Sequence, residues 1–204
     1  MTEKHDSPEA AVPHTEAEPL PYNRLSWKLD RFIVTIGKAS SWLWIGVLLV
    51  VLANVFARFI LNAGSVALEE MSWHLFGAAM MLTLSFAVVR DDHVRVDVLH
   101  EKFSLKTQAV IELAGILVLA LPIIYLMIDV LIPYAYKAFE LNERSQAPSG
   151  LPYRFIFKSV LPLSLILVWI ALFSRALRCS TLLFRFPREI QIPRDDRNGG
   201  HPHP

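Results

Sequence analysis

The sequence predicts an all-α membrane protein with four transmembrane helices, and two observations lead to this prediction. The chain of 204 residues is 53% hydrophobic, and its charged residues are gathered in a few short stretches, whereas a soluble domain would spread them over its helix faces. Four apolar segments also come close to the length that a helix needs to cross the roughly 30 Å hydrocarbon core of a bilayer. The predicted spans are 39–61, 71–89, 108–131 and 159–177.

The second span is the segment around which the other elements are placed. Two carboxylates, Glu69 and Glu70, precede it, and a cluster of mixed charge follows it over residues 90–99. Between them, residues 71–89 include no Asp, Glu, Lys or Arg. A soluble core helix can also be apolar on all sides, but three further segments repeat the pattern, which favours a membrane span.

The two ends of the chain differ from the spans. Residues 1–21 are rich in Glu, Ala, Pro and His and are predicted to be a disordered tail. Residues 22–38 mix basic with aromatic side chains, which is typical of an amphipathic helix that lies at the membrane surface and leads into a span. Because the first long apolar run begins near residue 39, we expect a retained anchor rather than a cleaved signal. The membrane domain is therefore predicted over 22–178, followed by a basic tail over 179–204.

Arg58 lies inside the first span or at its edge, where a charge is costly. Two explanations are open. Its long side chain either extends to the interface or forms a salt bridge with Glu69 or Glu70, which the short turn 62–68 brings near.

The third span carries two carboxylates, Glu112 and Asp129. Each is either an ion or proton site or a residue that faces the interface or the other helices. The second interpretation is favoured because each lies within about two turns of an end of the span. In the same span Pro122 predicts a kink, and Pro162 is expected in the first turn of the fourth span, where proline is tolerated.

The distribution of Lys and Arg predicts the orientation. The N-terminal flank, the segment 90–106 and the C-terminal tail are basic, whereas 62–70 has no Lys or Arg. By the positive-inside rule both termini are cytoplasmic, and 62–70 and 134–158 face outward. The second of these is predicted to be a loop of about 25 residues, a size at which a loop is often functional.

Several functions are excluded by composition. The net charge of +1 gives no reason to expect a nucleic-acid partner, and the single Cys179 excludes an internal disulfide framework. Only His74 is clearly inside a span, whereas a bis-histidine haem needs two such ligands. We expect no enzyme activity, no metal and no cofactor on this chain, which instead packs in the bilayer against a partner.

Three features resemble the small membrane subunit of tripartite ATP-independent periplasmic (TRAP) transporters. An acidic residue precedes the second span, a Gly-Ala pair lies inside it, and a His-to-Leu motif follows it; Asp92 stands where the family usually has Gly before that histidine. These features are Glu69-Glu70, Gly77-Ala78-Ala79 and His93-Val-Arg95-Val-Asp97-Val-Leu99.

The resemblance implies a multi-pass subunit of the bacterial inner membrane with two protein partners. A large membrane subunit carries the substrate and sodium sites, and a periplasmic binding protein delivers an organic acid to the outer face. The small subunit widens a static scaffold. The cytoplasmic motif residues are His93, Arg95 and Asp97, and the candidate contacts with the binding protein are Glu140, Glu143 and Arg144.

Two other functions stay open at this stage. One is the membrane anchor of a respiratory complex that shares haem or quinone with a partner through His74. The other is a small channel or proton-coupled carrier that acts alone through Glu112 and Asp129.

Overall fold

The computed structural model describes residues 20–60, 62–90, 104–147 and 149–184, and these residues form helices joined by short connections. The helices are α1 (Arg24–Ser40), α2 (Trp42–Ile60), α3 (Val66–Arg90), α4 (Leu105–Ala114), α5 (Leu121–Glu140) and α6 (Arg154–Phe184), and a π-helical segment, Gly115–Ala120, joins α4 to α5. Four stretches are long and apolar enough to cross a membrane: Arg24–Ile60, Val66–Arg90, Lys106–Glu140 and Arg154–Phe184. For the residues that the structure describes, the prediction of an all-helical fold with four potential spans is confirmed.

The four spanning stretches pack side by side in a row. Helix α2 packs on α3, α3 on α6, and α6 on α5, so that α2 and α5 occupy the two edges. Helix α1 lies against α3 and α6. Along the helix axes, the row has two ends, which we name by their residues. The Glu70 end is the one where α3 begins, and the Arg175 end is the one where α3 finishes.

Much of the apolar surface on the edge helices is exposed. Phe59 on α2 is 77% exposed, and Val130 on α5 is 68% exposed. On α5 the buried or half-buried positions repeat at alternating intervals of three and four residues, which is the spacing of a narrow helix–helix seam. This seam against α6 consists of Leu121, Ile124, Ile128, Leu131, Ala135 and Ala138.

A π-helical segment ends two residues before Pro122, and the kink predicted at this proline stays a prediction. Proline has no amide hydrogen to donate to the carbonyl one turn back. A π turn and a proline are both features at which helices depart from regular α geometry, and this stretch carries the two close together.

The predicted outward loop of 134–158 is too long. Helix α5 continues to Glu140 and α6 begins at Arg154, so the connection is 141–153. The spans were bounded where charged residues begin, but both helices extend past the apolar run and carry charge in their end turns. For the same reason Pro162 lies eight residues inside α6 rather than in its first turn, and α6 continues past 178 to Phe184.

The helix predicted over 22–38 is observed as α1. Asn23 caps it by accepting hydrogen bonds from the amides of Leu25 and Ser26. Its buried face is polar or small except for Ile33, which is fully buried with Val88 and Ala171. The helix packs closely on α3, since a Cβ added at Gly37 would lie 2.7 Å from Phe86. Its placement at the membrane surface stays a prediction, and residues 1–19 and 185–204 lie outside the described part.

Candidate functional site

Glu70, in the second turn of α3, binds the loop 141–153 with both oxygens of its carboxylate. Oε1 accepts a hydrogen bond from Ser145 Oγ, and Oε2 accepts one from the backbone amide of Leu151 at 2.8 Å. Hydrogen bonds to an ionised acceptor are the strong ones. This set of contacts, the Glu70 clamp, fastens the α5–α6 connection onto the start of α3.

Gly150 allows the loop to pass this closely over Glu70. A Cβ at position 150 would overlap the side chain of Ser145 and would lie 3.0 Å from Glu70 Oε2. The loop is also closed on itself, because the amide of Ser145 donates to the carbonyl of Leu151 at 3.1 Å. The clamp therefore requires a residue without a side chain at this position.

His74 and Arg154 lie beside the clamp. His74 Nδ1 is 2.6 Å from the backbone carbonyl of Glu70, and its ring packs on Phe157 with centroids 4.9 Å apart. Arg154 joins Trp73 and His74 in lining a shallow open pocket over Glu70. His74 is thus part of the packing at the Glu70 end of the row.

The start of the loop is fixed by a helix C-cap and an ion pair. Asn142 adopts a left-handed conformation with φ 45°, and the amide of Glu143 donates to the carbonyl of Ala138 at 3.0 Å, as in a Schellman motif. The Glu143 carboxylate then binds Lys158 Nζ at 2.5 Å, and this ammonium lies 4.3 Å from the ring centroid of Tyr134.

The three predicted docking residues therefore differ. Glu140 and Arg144 are exposed, whereas Glu143 is half-buried and paired with Lys158. Only the first two have side chains available to an approaching protein, and their role in docking stays a prediction.

At the Arg175 end, an ion pair joins three elements. Arg175 Nε pairs with Glu112 Oε1, and Arg175 Nη1 donates to the carbonyl of Val88 at 3.5 Å. The side chains of Arg175 and Glu112 are 12% and 21% exposed. Of the two interpretations for Glu112, the structure favours the one in which it faces the other helices, since it links α4, α6 and α3.

Sequence reasoning missed a polar seam between α1 and α6. Asp30 Oδ1 accepts a hydrogen bond from Ser174 Oγ at 2.5 Å, and Arg178 Nη1 lies 3.8 Å from Asp30 Oδ2. The guanidinium of Arg178 also lies 4.1 Å from the ring centroid of Tyr22.

The same seam continues toward the start of α1. Asn23 Nδ2 donates to Thr181 Oγ1 at 3.2 Å, and Ser174 Oγ lies 3.2 Å from the carbonyl of Ser26. The polar residues repeat at intervals of three or four in both helices, and that repeat is the signal in the sequence that could have revealed the seam.

The predicted salt bridge of Arg58 with Glu69 or Glu70 is not formed within the described part of the chain. Arg58 and Glu69 are exposed, and Glu70 is bound by Ser145 and Leu151. Arg58 lies only two residues before the end of α2. The alternative explanation, a side chain that extends to the interface, fits this position.

The remaining predicted site residues are not brought together. Asp129 is exposed on α5, and Glu112 is held by Arg175 at the other end of the same helical stretch. His93, Arg95 and Asp97 lie outside the described residues. Among the described residues, no group of three or more His, Cys, Asp or Glu is placed to hold a metal ion.

Taken together, the four potential spans and the ionic contacts that fasten them define a multi-pass helical membrane protein. The family model of the tripartite ATP-independent periplasmic transporters, DctQ component, matches residues 47–182, which is two thirds of the chain. The chain belongs to this family and is the small membrane component of a TRAP transporter. The family is one of transporter components rather than enzymes. Comparisons with curated proteins and with solved structures gave no match.

Proposed function

We propose that the chain is the scaffold subunit of a sodium-coupled TRAP transporter that imports an organic acid. In this proposal the large membrane subunit carries the substrate and sodium sites, and a periplasmic binding protein delivers the acid. The small subunit supports the large one and helps to dock the binding protein. The observation that carries the proposal is the row of four potential spans, in which polar contacts join α3 to the α5–α6 connection at the Glu70 end and join α1, α3 and α4 to α6 at the Arg175 end.

The fastening supports a static role. At the Glu70 end the clamp joins α3 to the connection between α5 and α6. At the Arg175 end the pair with Glu112 joins α4 to α6, and the seam around Asp30 joins α1 to α6. Polar contacts in a low-dielectric surrounding fix the relative positions of their elements strongly, so the row suits a support against which another subunit moves.

The distribution of Lys and Arg supports an outward position for the Glu70 end and a cytoplasmic position for both termini, in the bacterial inner membrane. The loop 141–153 then faces the periplasm next to exposed Glu140 and carries exposed Arg144. Charged groups at the rim of an interface chiefly set association rate and specificity. We infer that this loop gives the binding protein part of its docking surface.

The test is uptake into proteoliposomes that hold this chain together with the large membrane subunit. Candidate organic acids are first chosen by the thermal shift that each causes in the purified binding protein. We expect uptake only when both membrane chains, the loaded binding protein and an inward sodium gradient are present, without ATP. Uptake by this chain alone, or uptake that is indifferent to sodium, would contradict the proposal.

A further inference from the structure

Asp129 is a carboxylate that the described residues of this chain do not satisfy. It is exposed on α5, and no hydrogen bond or ion pair joins it to any residue in the described ranges. The other intramembrane carboxylate of the same stretch, Glu112, is paired with Arg175. Asp129 therefore needs an explanation that packing within the chain does not supply.

The depth of Asp129 follows from the contacts of α5 with α6. Five residues toward the Glu70 end, Tyr134 contacts Lys158; eight residues toward the Arg175 end, Leu121 packs with Ala176. At a rise of about 1.5 Å per residue, Asp129 lies about 7.5 Å from the first level and about 12 Å from the second. Apart from Asp129, residues 113–136 include no Asp, Glu, Lys or Arg, so the carboxylate lies within an apolar run of the stretch Lys106–Glu140.

A short side chain at this position has little reach toward the interface. Arg58 lies two residues from the end of α2 and has a long stem, so its charge can reach the interface. Asp129 has a single methylene group and no such route. Ionisable residues inside a membrane almost always face a polar partner or a water-filled cavity, because an isolated charge in hydrocarbon is costly.

Two tyrosines share the face of Asp129. Tyr125 lies four residues before it and Tyr136 seven residues after it, intervals that place all three on one side of a helix. Both tyrosines are 60% exposed, and this face lies outside the seam that α5 forms with α6. We name these three residues the Tyr-Asp stripe. Aromatic residues with a polar tip are enriched where proteins bind each other.

We infer that the Tyr-Asp stripe is the surface of this chain that packs against the large membrane subunit, and that Asp129 pairs there with a Lys or Arg of that subunit. This inference rests on the proposed function. An ionised carboxylate accepts hydrogen bonds only, and among possible donors a Lys or Arg also neutralises its charge, which is most favourable inside a membrane. A second copy of the chain packed about a two-fold axis would bring the two Asp129 carboxylates toward each other, which is unfavourable.

The first arm of the test locates the partner by photo-crosslinking in the assembled complex. The chain is co-expressed with the large subunit, with p-benzoylphenylalanine in place of Tyr125, which leaves Asp129 unchanged. The matched control has the same group in place of Phe59, an exposed aromatic residue on the opposite edge of the row. We expect a covalent product with the large subunit from position 125 and none from position 59.

The second arm measures how much large subunit co-purifies in mild detergent with Asp129→Asn, Asp129→Lys and the control Val130→Asn, which adds an amide at nearly the same depth off the stripe. We expect Asp129→Lys to lower recovery about tenfold or more, Asp129→Asn to lower it less, and Val130→Asn to leave it unchanged. The variants are compared at equal amounts of the chain in the membrane. Asp129→Asn keeps the shape of the side chain, so it provides the test if the lysine variant fails to insert.

Four outcomes would overturn the inference. They are crosslinking from position 59 but not from 125, crosslinking of position 125 only to a second copy of the chain, full recovery with Asp129→Lys, and an equal loss with Val130→Asn. In each of them the wild-type chain still recovers the large subunit, so the proposed function stands. If the wild-type chain recovers no large subunit, the proposed function fails and the inference fails with it.

Discussion

The ion pair of Arg175 with Glu112 gives the sharpest prediction for stability, and the perturbation is Arg175→Met. Methionine keeps much of the apolar stem but leaves Glu112 and the carbonyl of Val88 without this donor. Breaking a buried pair by removing one partner costs about 3–5 kcal/mol, whereas an exposed pair is worth about 0.5 kcal/mol. With side chains 12% and 21% exposed, this pair lies near the buried limit. We expect a loss of about 3 kcal/mol, or about a 150-fold fall in the ratio of folded to unfolded protein.

A double-mutant cycle separates the pair from general packing. Glu112→Gln alone leaves the guanidinium without its anion and is expected to cost about 2 kcal/mol. The double variant has no orphaned charge, so we expect it to be no less stable than Arg175→Met and the coupling energy to be about 2 kcal/mol or more. Arg175→Lys is expected to fall between wild type and Arg175→Met, because an ammonium cannot reproduce the fork that reaches both Glu112 and Val88.

The assay is reversible unfolding of the full-length chain by sodium dodecyl sulfate in mixed micelles, followed by far-UV circular dichroism and tryptophan fluorescence. Arg90→Met is the matched control, since Arg90 is an exposed cation at the end of α3 whose guanidinium lies over Phe86. We expect this control to change stability by less than about 1 kcal/mol. A coupling energy near zero, or an equal loss in Arg90→Met, would refute the role of the pair in joining the helices.

Two further predictions test other contacts. Gly37→Ala should destabilise the chain by about 1–3 kcal/mol, because the added methyl group collides with α3. Gly46→Ala should not destabilise it, since nothing lies within 4 Å of its added carbon. Equal unfolding midpoints for the two variants would contradict this. Glu140→Gln should slow uptake at low concentrations of binding protein without changing the unfolding midpoint. Glu143→Gln should lower that midpoint, because it removes the anion that Lys158 binds. The reverse pattern would show that Glu143, not Glu140, is the docking residue.

The sequence predicts the spans well because bilayer thickness imposes a minimum length on any apolar helix. The ends of α5 and α6 are less predictable, since Lys137 and Lys158 lie in helical turns beyond the apolar run where charge alone indicates a loop. The salt-bridge partner predicted for Glu70, Arg58, was wrong for a related reason. Pairing by opposite charge selects Arg58, but the backbone amide of Leu151 is an equally good donor, and its position depends on how the loop folds.

The polar seam between α1 and α6 illustrates a second limit of prediction from sequence. Its basic and aromatic residues favour a surface helix, yet the residues that it buries include Ser26 and Asp30. Their match with Ser174 and Arg178 on α6 makes these polar residues suitable for burial beside Ile33. Such a match requires both helices and their register, neither of which a single segment contains. Asp129, by contrast, was recognised from sequence as an intramembrane or interfacial charge, but only the packing of α5 shows that the described residues leave it exposed.

The central claim is that the row of spans is a rigid support, and its most direct test is the distance between its edges during transport. Spin labels replace Phe56 on α2 and Leu126 on α5, both exposed, in a Cys179→Ser background within the complete transporter in lipid. Double electron–electron resonance is recorded without sodium and then with sodium and substrate-loaded binding protein. We predict the same distance distribution in both states, and a shift of several ångströms in its maximum would contradict a static scaffold.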